Sequence, residues 1–555
     1  MNKPWLESYP AGVPAEIDIS VYSSINDVFS DSCKRFSDRT AFINMGTRIS
    51  YGEMDLAATH FASWLQHRGL KPGDRIALML PNILQYPVVL FGALRAGLIV
   101  VNTNPMYTAR ELKHQLVDCG ARAIVVVENV AHVLQEVRDQ VPVEFVITTQ
   151  IGDLLQFPKN LLVNLALKYL KKAVPPWSLP GAFSFGRTLV EGSKLQLEPV
   201  TVGLDDIAFL QYTGGTTGVS KGAMLTHRNL VANMLQSKAW LAPTGIDQGN
   251  EIIITALPLY HIFALTANCL VFMALGGTNV LITNPRDMPG FVAELGRVPF
   301  TRLTGVNTLF NALLNTPGFA DLDFSSLKGT LGGGMAVQRA VAERWAATTG
   351  STLVEAYGLT ETSPAACINP ADLDHYNGFI GLPISSTECA IMDEEGKLLS
   401  QGETGELVVR GPQVMKGYWQ RPDETAKVLV GDGWLRTGDI AVMNPQGYFK
   451  IVDRKKDMIL VSGFNVYPNE IEDVFALHPK VFEVAAVGVP DEKSGEAVKL
   501  FVVAKDPSLT EQELRAFAEE QLTGYKRPRF IEFRDALPKS NVGKILRREL
   551  RNSSA

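Results

Sequence analysis

The chain has 555 residues, 46% apolar and 20% charged, with a formal net charge of −6. That length exceeds one ordinary domain, and the acidic balance argues against nucleic acid as the main partner. Five cysteines (Cys33, Cys119, Cys269, Cys367, Cys389) lie far apart with no CxxC. They suggest neither a disulfide framework nor a zinc site, and they fit a reducing cytoplasm.

The N-terminal stretch lacks the apolar run of a signal peptide. From Arg75 onward, strand-like runs at 75–80, 98–102, 123–127 and 143–148 alternate with helical patterns at 83–96, 109–119 and 130–140. Such alternation predicts a mainly parallel sheet with helices on both faces. Residues 154–174 mix Leu, Val and Ala with Lys159, Lys168, Lys171 and Lys172, ahead of Pro175-Pro176-Trp177. Two readings stand for this stretch: a basic amphipathic helix on a membrane surface with Trp177 at the interface, or a solvated helix covering the domain. Residues 207–210 read as a buried strand.

The stretch after that strand is Tyr212-Thr213-Gly214-Gly215-Thr216-Thr217-Gly218-Val219-Ser220-Lys221-Gly222. Its glycines let backbone N–H groups approach a ligand, and its hydroxyls and Lys221 add donors, which suits a polyphosphate. It is not a Walker loop, since no Gly-Lys-Ser/Thr closes it. Residues 262–275 form the most apolar helix candidate, interrupted by Asn268 and too short to span a bilayer, so a buried core helix is expected. A second cycle adds helices at 291–298 and 337–348. After about Gly405 the texture turns to short strands, including 406–410 and 448–452.

A charged run, Asp453-Arg454-Lys455-Lys456-Asp457, then marks a boundary. Beyond it a helix at 469–477, strands at 484–489, 497–503 and 529–533, and a helix opened by the capping box Thr510–Glu513 make a small α+β unit. The expected fold class is α/β: a large N-terminal domain (1–452) with doubly wound mixed sheets, a hinge (453–457), and a small mobile α+β C-terminal domain (458–555).

Four further segments bear on chemistry: Gly332-Gly333-Gly334, Glu355-Ala356-Tyr357-Gly358-Leu359-Thr360-Glu361, Trp434-Leu435-Arg436-Thr437-Gly438-Asp439, and Ser540-Asn541-Val542-Gly543-Lys544. Each alone is weak. In this order, with the glycine-threonine loop and the charged run, they resemble the adenylate-forming superfamily of acyl-CoA synthetases, luciferases and peptide-synthetase adenylation domains. The resemblance runs from roughly Ser24 to Leu550. Leu257-Pro258-Leu259-Tyr260-His261-Ile262-Phe263 and Val461-Ser462-Gly463-Phe464-Asn465-Val466-Tyr467-Pro468 are similar to bacterial long-chain fatty acid–CoA ligases.

The resemblance implies ATP-dependent activation of a long-chain fatty acid to acyl-AMP, then transfer to coenzyme A. It implies that Thr213, Thr216, Thr217 and Lys221 hold the β- and γ-phosphates, in a loop completed by Tyr212, Gly214, Gly215 and Gly218. Glu361 would ligate Mg²⁺, a hard cation suited to carboxylate and phosphate oxygens. Adenine would lie between the backbone of Gly332, Gly333 and Gly334 and the Tyr357 ring, with Glu355, Ala356, Gly358 and Thr360 completing the pocket. Asp439 would take the ribose hydroxyls, with Arg454 beside it. Lys544 would be the catalytic lysine, and Lys456 the hinge about which the C-terminal domain turns between steps. Ser462, Gly463 and Phe464 would then line the coenzyme A channel, while His261 and Gly305 line the acyl pocket.

Three positions depart from many relatives: Gly214 replaces serine, Lys456 replaces an acidic residue, and Leu265 lies near an aromatic gate of some long-chain enzymes. From 521 to 555 nine Lys/Arg stand against three Asp/Glu, either a surface for coenzyme phosphates or a solvated face. The implied location is cytoplasmic, peripheral to the inner face of the cell membrane, with lipid as a partner. A homodimer is common among such relatives. The alternatives are a ligase for medium-chain or aryl acids, and a non-catalytic lipid carrier on the same scaffold.

Overall fold

The computed structural model describes residues 3–213, 220–491 and 493–553, which form four sheets. The first has seven strands in the order Phe183–Ser184, Phe145–Thr149, Ala123–Val127, Arg75–Met79, Ile99–Asn102, Ile207–Thr213, Lys221–Thr226. All neighbours are parallel except the last pair. Alternate residues of its strands feed two different cores. Ile76, Leu78 and Val125 pack with Trp64 and Phe91, whereas Ala77, Met79, Ile124 and Val126 pack with Leu112, Leu116 and Leu134. Coverage on both faces is why these strands read as unbroken apolar runs. Each fully buried Leu or Phe contributes about 1.5–3 kcal/mol of transfer free energy, which holds the layers together.

The second sheet has nine strands. Six parallel ones (Leu353–Gly358, Gly329–Gly333, Arg302–Gly305, Ile252–Thr255, Thr278–Leu281, Thr40–Asn44) are flanked by antiparallel edges. The expected doubly wound, mixed α/β domain is therefore present. The sequence-based ranges hold with shifts at their ends, for example Gln85–Arg95 for 83–96 and Ala131–Val137 for 130–140. The glycine run expected after a strand instead lies partly within it, at Gly329–Gly333.

The expected helix at 262–275 lies in the core but is not regular: Ile262–Ala264 and Val271–Ala274 bracket a π-helical stretch, Leu265–Leu270. Asn268 explains the interruption. Its amide donates to Ile254 O (3.2 Å) and Thr255 Oγ1 (3.1 Å) and accepts from Thr304 Oγ1 (2.9 Å). A buried amide satisfied on both ends ties the helix to two strands at little cost. Stretch 154–174 is helical only over Lys159–Leu165, continued by a π turn at Ala166–Leu170. Trp177, which only the membrane-surface reading put at an interface, is partly buried and packs against the core around Leu112 and Leu134.

The third sheet is antiparallel and ends with Trp434–Met443 paired to Phe449–Arg454. A turn over residues 455–457 follows. Ile459–Val461 then opens the fourth sheet, in which Val481–Asp491, Gly495–Ala504 and Phe530–Phe533 carry a separate core around Ile471, Phe475 and Leu500. The Thr510–Glu513 capping box is formed in both directions. The molecule is thus a large N-terminal α/β domain with a small C-terminal one.

Candidate active site

The C-terminal ends of the strands Ile207–Thr213, Gly329–Gly333 and Leu353–Gly358 face one cavity of about 1910 Å³. Open parallel sheets place ligands at such strand ends, because helix-side loops converge there. His261, Gly334, Tyr357, Glu361, Asp439 and Lys544 all line it, so both lobes contribute.

At one end, Thr213 faces Lys221 across an antiparallel pair, and Ser220 Oγ donates to Thr213 O (2.6 Å). Gly214, Gly215, Thr216, Thr217 and Gly218 lie outside the described residues. Tyr212 braces the strand: its hydroxyl donates to Asp118 (2.7 Å), which also pairs with Arg421 (2.5 Å). The Lys221 ammonium pairs with Glu424 and lies 5.2 Å from the centre of the Tyr418 ring. Tyr418 in turn donates to Glu361 Oε1 (2.7 Å). Among the described residues no group of three or more His, Cys, Asp or Glu could hold a metal, so a cation at Glu361 would draw its other ligands from phosphate and water. One carboxylate with substrate oxygens is how Mg²⁺ is commonly held, so the residues fit that ion.

At the nucleoside end, Asp439 accepts from the Tyr357 hydroxyl (2.6 Å) and lies 3.5 Å from Arg454 Nε. Gly438, at φ +75°, and register shifts in both flanking pairs make the strand irregular around Asp439, which keeps its pairing with Arg454. Burial, then the nearby Asp439 charge, push the Tyr357 hydroxyl well above its ordinary pKa, so it stays a donor. A Cβ on Gly333 would lie 3.1 Å from Ala356 O, and one on Gly358 only 1.8 Å from Pro364 O, so both are packing glycines beside the cavity. Ala356 and Thr360 line the cavity. The Glu355 carboxylate accepts from Val337 N–H (3.1 Å), and burial pushes its pKa up to about 8. Its side chain therefore serves the fold as well as the wall.

Lys544 arrives from the C-terminal lobe, its Cε only 3.3 Å from where a Cβ of Gly334 would sit. Burial and the Arg454 charge push its pKa down to about 8, against the opposing pull of Asp439 and Glu361. Burial and Lys544 together push His261 down to about 3, so the ring is neutral, and its Nδ1 accepts from Phe263 N–H (3.3 Å). Gly305 does not line the cavity. A Cβ there would come 2.8 Å from the Phe310 ring, so the glycine makes room for that ring. Lys456 sits in the interlobe turn, where burial and Arg454 lower its pKa. Ser462, Gly463 and Phe464 lie away from the cavity, on a tight turn whose Phe464 ring stacks on Tyr525 at 4.7 Å.

Sequence reasoning missed Tyr418, Glu424 and Arg547. The first two are brought to Lys221 by pairing of residues 417–419 with 222–224, a long-range contact that no local motif signals. The Arg547 guanidinium, in the C-terminal lobe, gathers Glu472 (2.6 Å), Asn469 (2.5 Å) and Asp453 (3.2 Å).

Family models agree with this layout. Residues 29–419 match that of the AMP-binding enzyme, and residues 470–544 that of the AMP-binding enzyme C-terminal domain. The chain belongs to the AMP-binding enzyme family. It is 59% identical over 555 residues to a long-chain-fatty-acid–CoA ligase of Escherichia coli O157:H7, covering 100% of this chain and 99% of the relative. Among solved structures, ATP-bound MatB from Rhodopseudomonas palustris superposes with a TM-score of 0.81 at 29% identity, covering 96% of this chain and 99% of that one. The apo form of the same enzyme, at equal identity and coverage, gives 0.71. The shape here is thus nearer the ATP-bound form.

Proposed function

We propose that the chain is an AMP-forming long-chain fatty acid–CoA ligase. The observation that carries this reading is the meeting of Lys544, from one lobe, with Asp439, Tyr357 and Glu361, from the other, in a single cavity. In the first step a fatty-acid carboxylate oxygen attacks the α-phosphorus of ATP, forming the acyl–O–P bond as pyrophosphate leaves. Asp439 fixes the ribose, Lys221 and the glycine-threonine loop hold the outer phosphates, and Lys544 faces the charge that builds on the α-phosphate. A magnesium ion held at Glu361 would offset phosphate charge. In the second step the coenzyme A thiol attacks the acyl carbon and AMP leaves. Lys544 blocks that approach, so the C-terminal lobe turns about Lys456, bringing Ser462, Gly463 and Phe464 to the thiol channel. His261 contributes to the acyl wall and is no base at neutral pH. Pyrophosphate release should be fastest with long-chain acids; equal or higher rates with medium-chain or aryl acids would overturn the substrate assignment.

The same reading places the enzyme against a lipid surface. No helix among the described residues is long and apolar enough to cross a membrane. The segment around Lys159–Leu165 instead turns apolar side chains outward: Phe157 is 78% exposed, Leu162 62% and Leu170 82%. Lys168, Lys171 and Lys172 stand exposed among them, a pattern suited to an anionic interface. The protein should float with anionic liposomes and lose that behaviour on Leu162→Glu with Leu170→Glu; a parent that stays at the bottom refutes the contact.

A further inference from the structure

The turn that carries Lys544 is rigid in itself. Ser540 N–H donates to Lys544 O (2.7 Å), Gly543 N–H to Ser540 O (3.0 Å), and Lys544 N–H to Ser540 Oγ (3.1 Å). The large lobe grips this turn at two residues just before the lysine. Thr308 Oγ1 donates to Gly543 O (2.9 Å), one residue before the lysine, and Asn541 Nδ2 donates to the Tyr260 hydroxyl (2.9 Å). The approach is close enough to demand glycine. Gly543 has φ +84°, and a Cβ there would lie 2.9 Å from Thr308 Oγ1 and 3.2 Å from Val306 Cγ2. Gly334, at φ +77°, leaves the space filled by the lysine stem. None of Thr308, Tyr260 or Asn541 belongs to the groups assigned to substrate above.

We propose that Thr308 and Tyr260 are positioning residues which latch the Lys544 turn, through Gly543 and Asn541, for acyl-AMP formation alone. The inference rests on the two-step reading just given. Both hydrogen bonds bridge the lobes, so turning the C-terminal lobe breaks both at once. The latch therefore stabilises one of two arrangements, and weakening it shifts population toward the other. A lysine has a long stem with several rotatable bonds, so its amine is useful only when its backbone anchor is fixed. A hydrogen bond of this kind contributes on the order of 1 kcal/mol, equivalent to roughly five- to tenfold in rate or population.

Thr308→Val keeps the shape and removes one bond; Asn541→Ala removes the other. The pair should slow acyl-AMP formation about fiftyfold, measured as pyrophosphate release without coenzyme A. Thioester formation from supplied acyl-AMP should stay within about twofold of the parent or rise. Thr308→Ser, which keeps the hydroxyl, should recover most of the first rate. Spin labels at Glu343→Cys and Glu519→Cys, on exposed helices of the two lobes, should report a broadened interlobe distance in the double variant; the native cysteines are all buried. Equal slowing of both half-reactions, an unchanged first step, or an unchanged distance distribution would overturn the latch. If the parent itself makes no acyl-AMP from fatty acids, the functional reading fails and the label distances alone decide the latch.

Discussion

Lys544→Ala should abolish acyl-AMP formation and leave thioester formation from supplied acyl-AMP nearly intact. The amine sits in a cavity with the Asp439 and Glu361 carboxylates and the Arg454 cation around it. A unit charge about 4 Å from developing charge, at an effective dielectric near 20, is worth about 4 kcal/mol. Loss of such a contact commonly costs on the order of 10²–10³ in rate. The same charge gives the parent an alkaline limit. Because burial holds the Lys544 pKa down at about 8, kcat/KM for the first step should fall as pH rises through that value, and the second step should lack this limb. The sign for stability is opposite to that of a lysine gaining a partner. A folded pKa below the ordinary 10.5 means that the buried charge opposes folding below pH about 8, an effect relieved as pH rises toward 10.5. Lys544→Ala should therefore unfold no earlier than the parent at neutral pH, which separates lost chemistry from lost structure.

Lys456→Pro should do the converse. The turn at residues 455–457 joins the last strand of the third sheet, Phe449–Arg454, to the first strand of the fourth, Ile459–Val461. Lys455 N–H donates to Gly438 O (3.0 Å) and Asp457 N–H to Arg454 O (3.0 Å), whereas Lys456 N–H makes no backbone bond among the described residues. Its φ is not positive. Proline at this position thus removes no hydrogen bond from the arrangement described here, and acyl-AMP formation should be nearly unchanged. The lobe rotation about Lys456 proposed above would need a new φ/ψ there, and proline holds φ near −65°. Forcing a residue into a disfavoured backbone conformation costs on the order of 1–3 kcal/mol, so the second half-reaction should slow by roughly 5- to 10²-fold. Rapid-quench measurement of thioester formation from bound acyl-AMP reads this directly.

Much of the architecture was legible because hydrophobic periodicity reports local burial. Residues 123–127 are apolar throughout because helices cover both faces of that strand, and the Thr510–Glu513 box announces its helix by hydrogen bonds within one turn. The site was legible only through motifs whose order along the chain matters more than any one of them. Asp439 is an example: alone it is an acid after a glycine, and only the fold lays it against Tyr357 and Arg454. Groups supplied by distant pairing left no trace in the sequence, as with Glu424 beside Lys221 and Arg547 beside Asp453. Gly305 illustrates the opposite case: the resemblance puts it in the acyl pocket, whereas here it leaves room for the Phe310 ring.

The decisive measurement is the ratio of the two half-reaction rates, taken side by side for the parent, Lys544→Ala and Lys456→Pro under single-turnover conditions. One site serving two steps in two lobe arrangements requires that ratio to move in opposite directions in the two variants. A ratio that stays constant while both rates fall, or that moves the same way in both, would mean that Lys544 and the hinge do not divide the reaction between them.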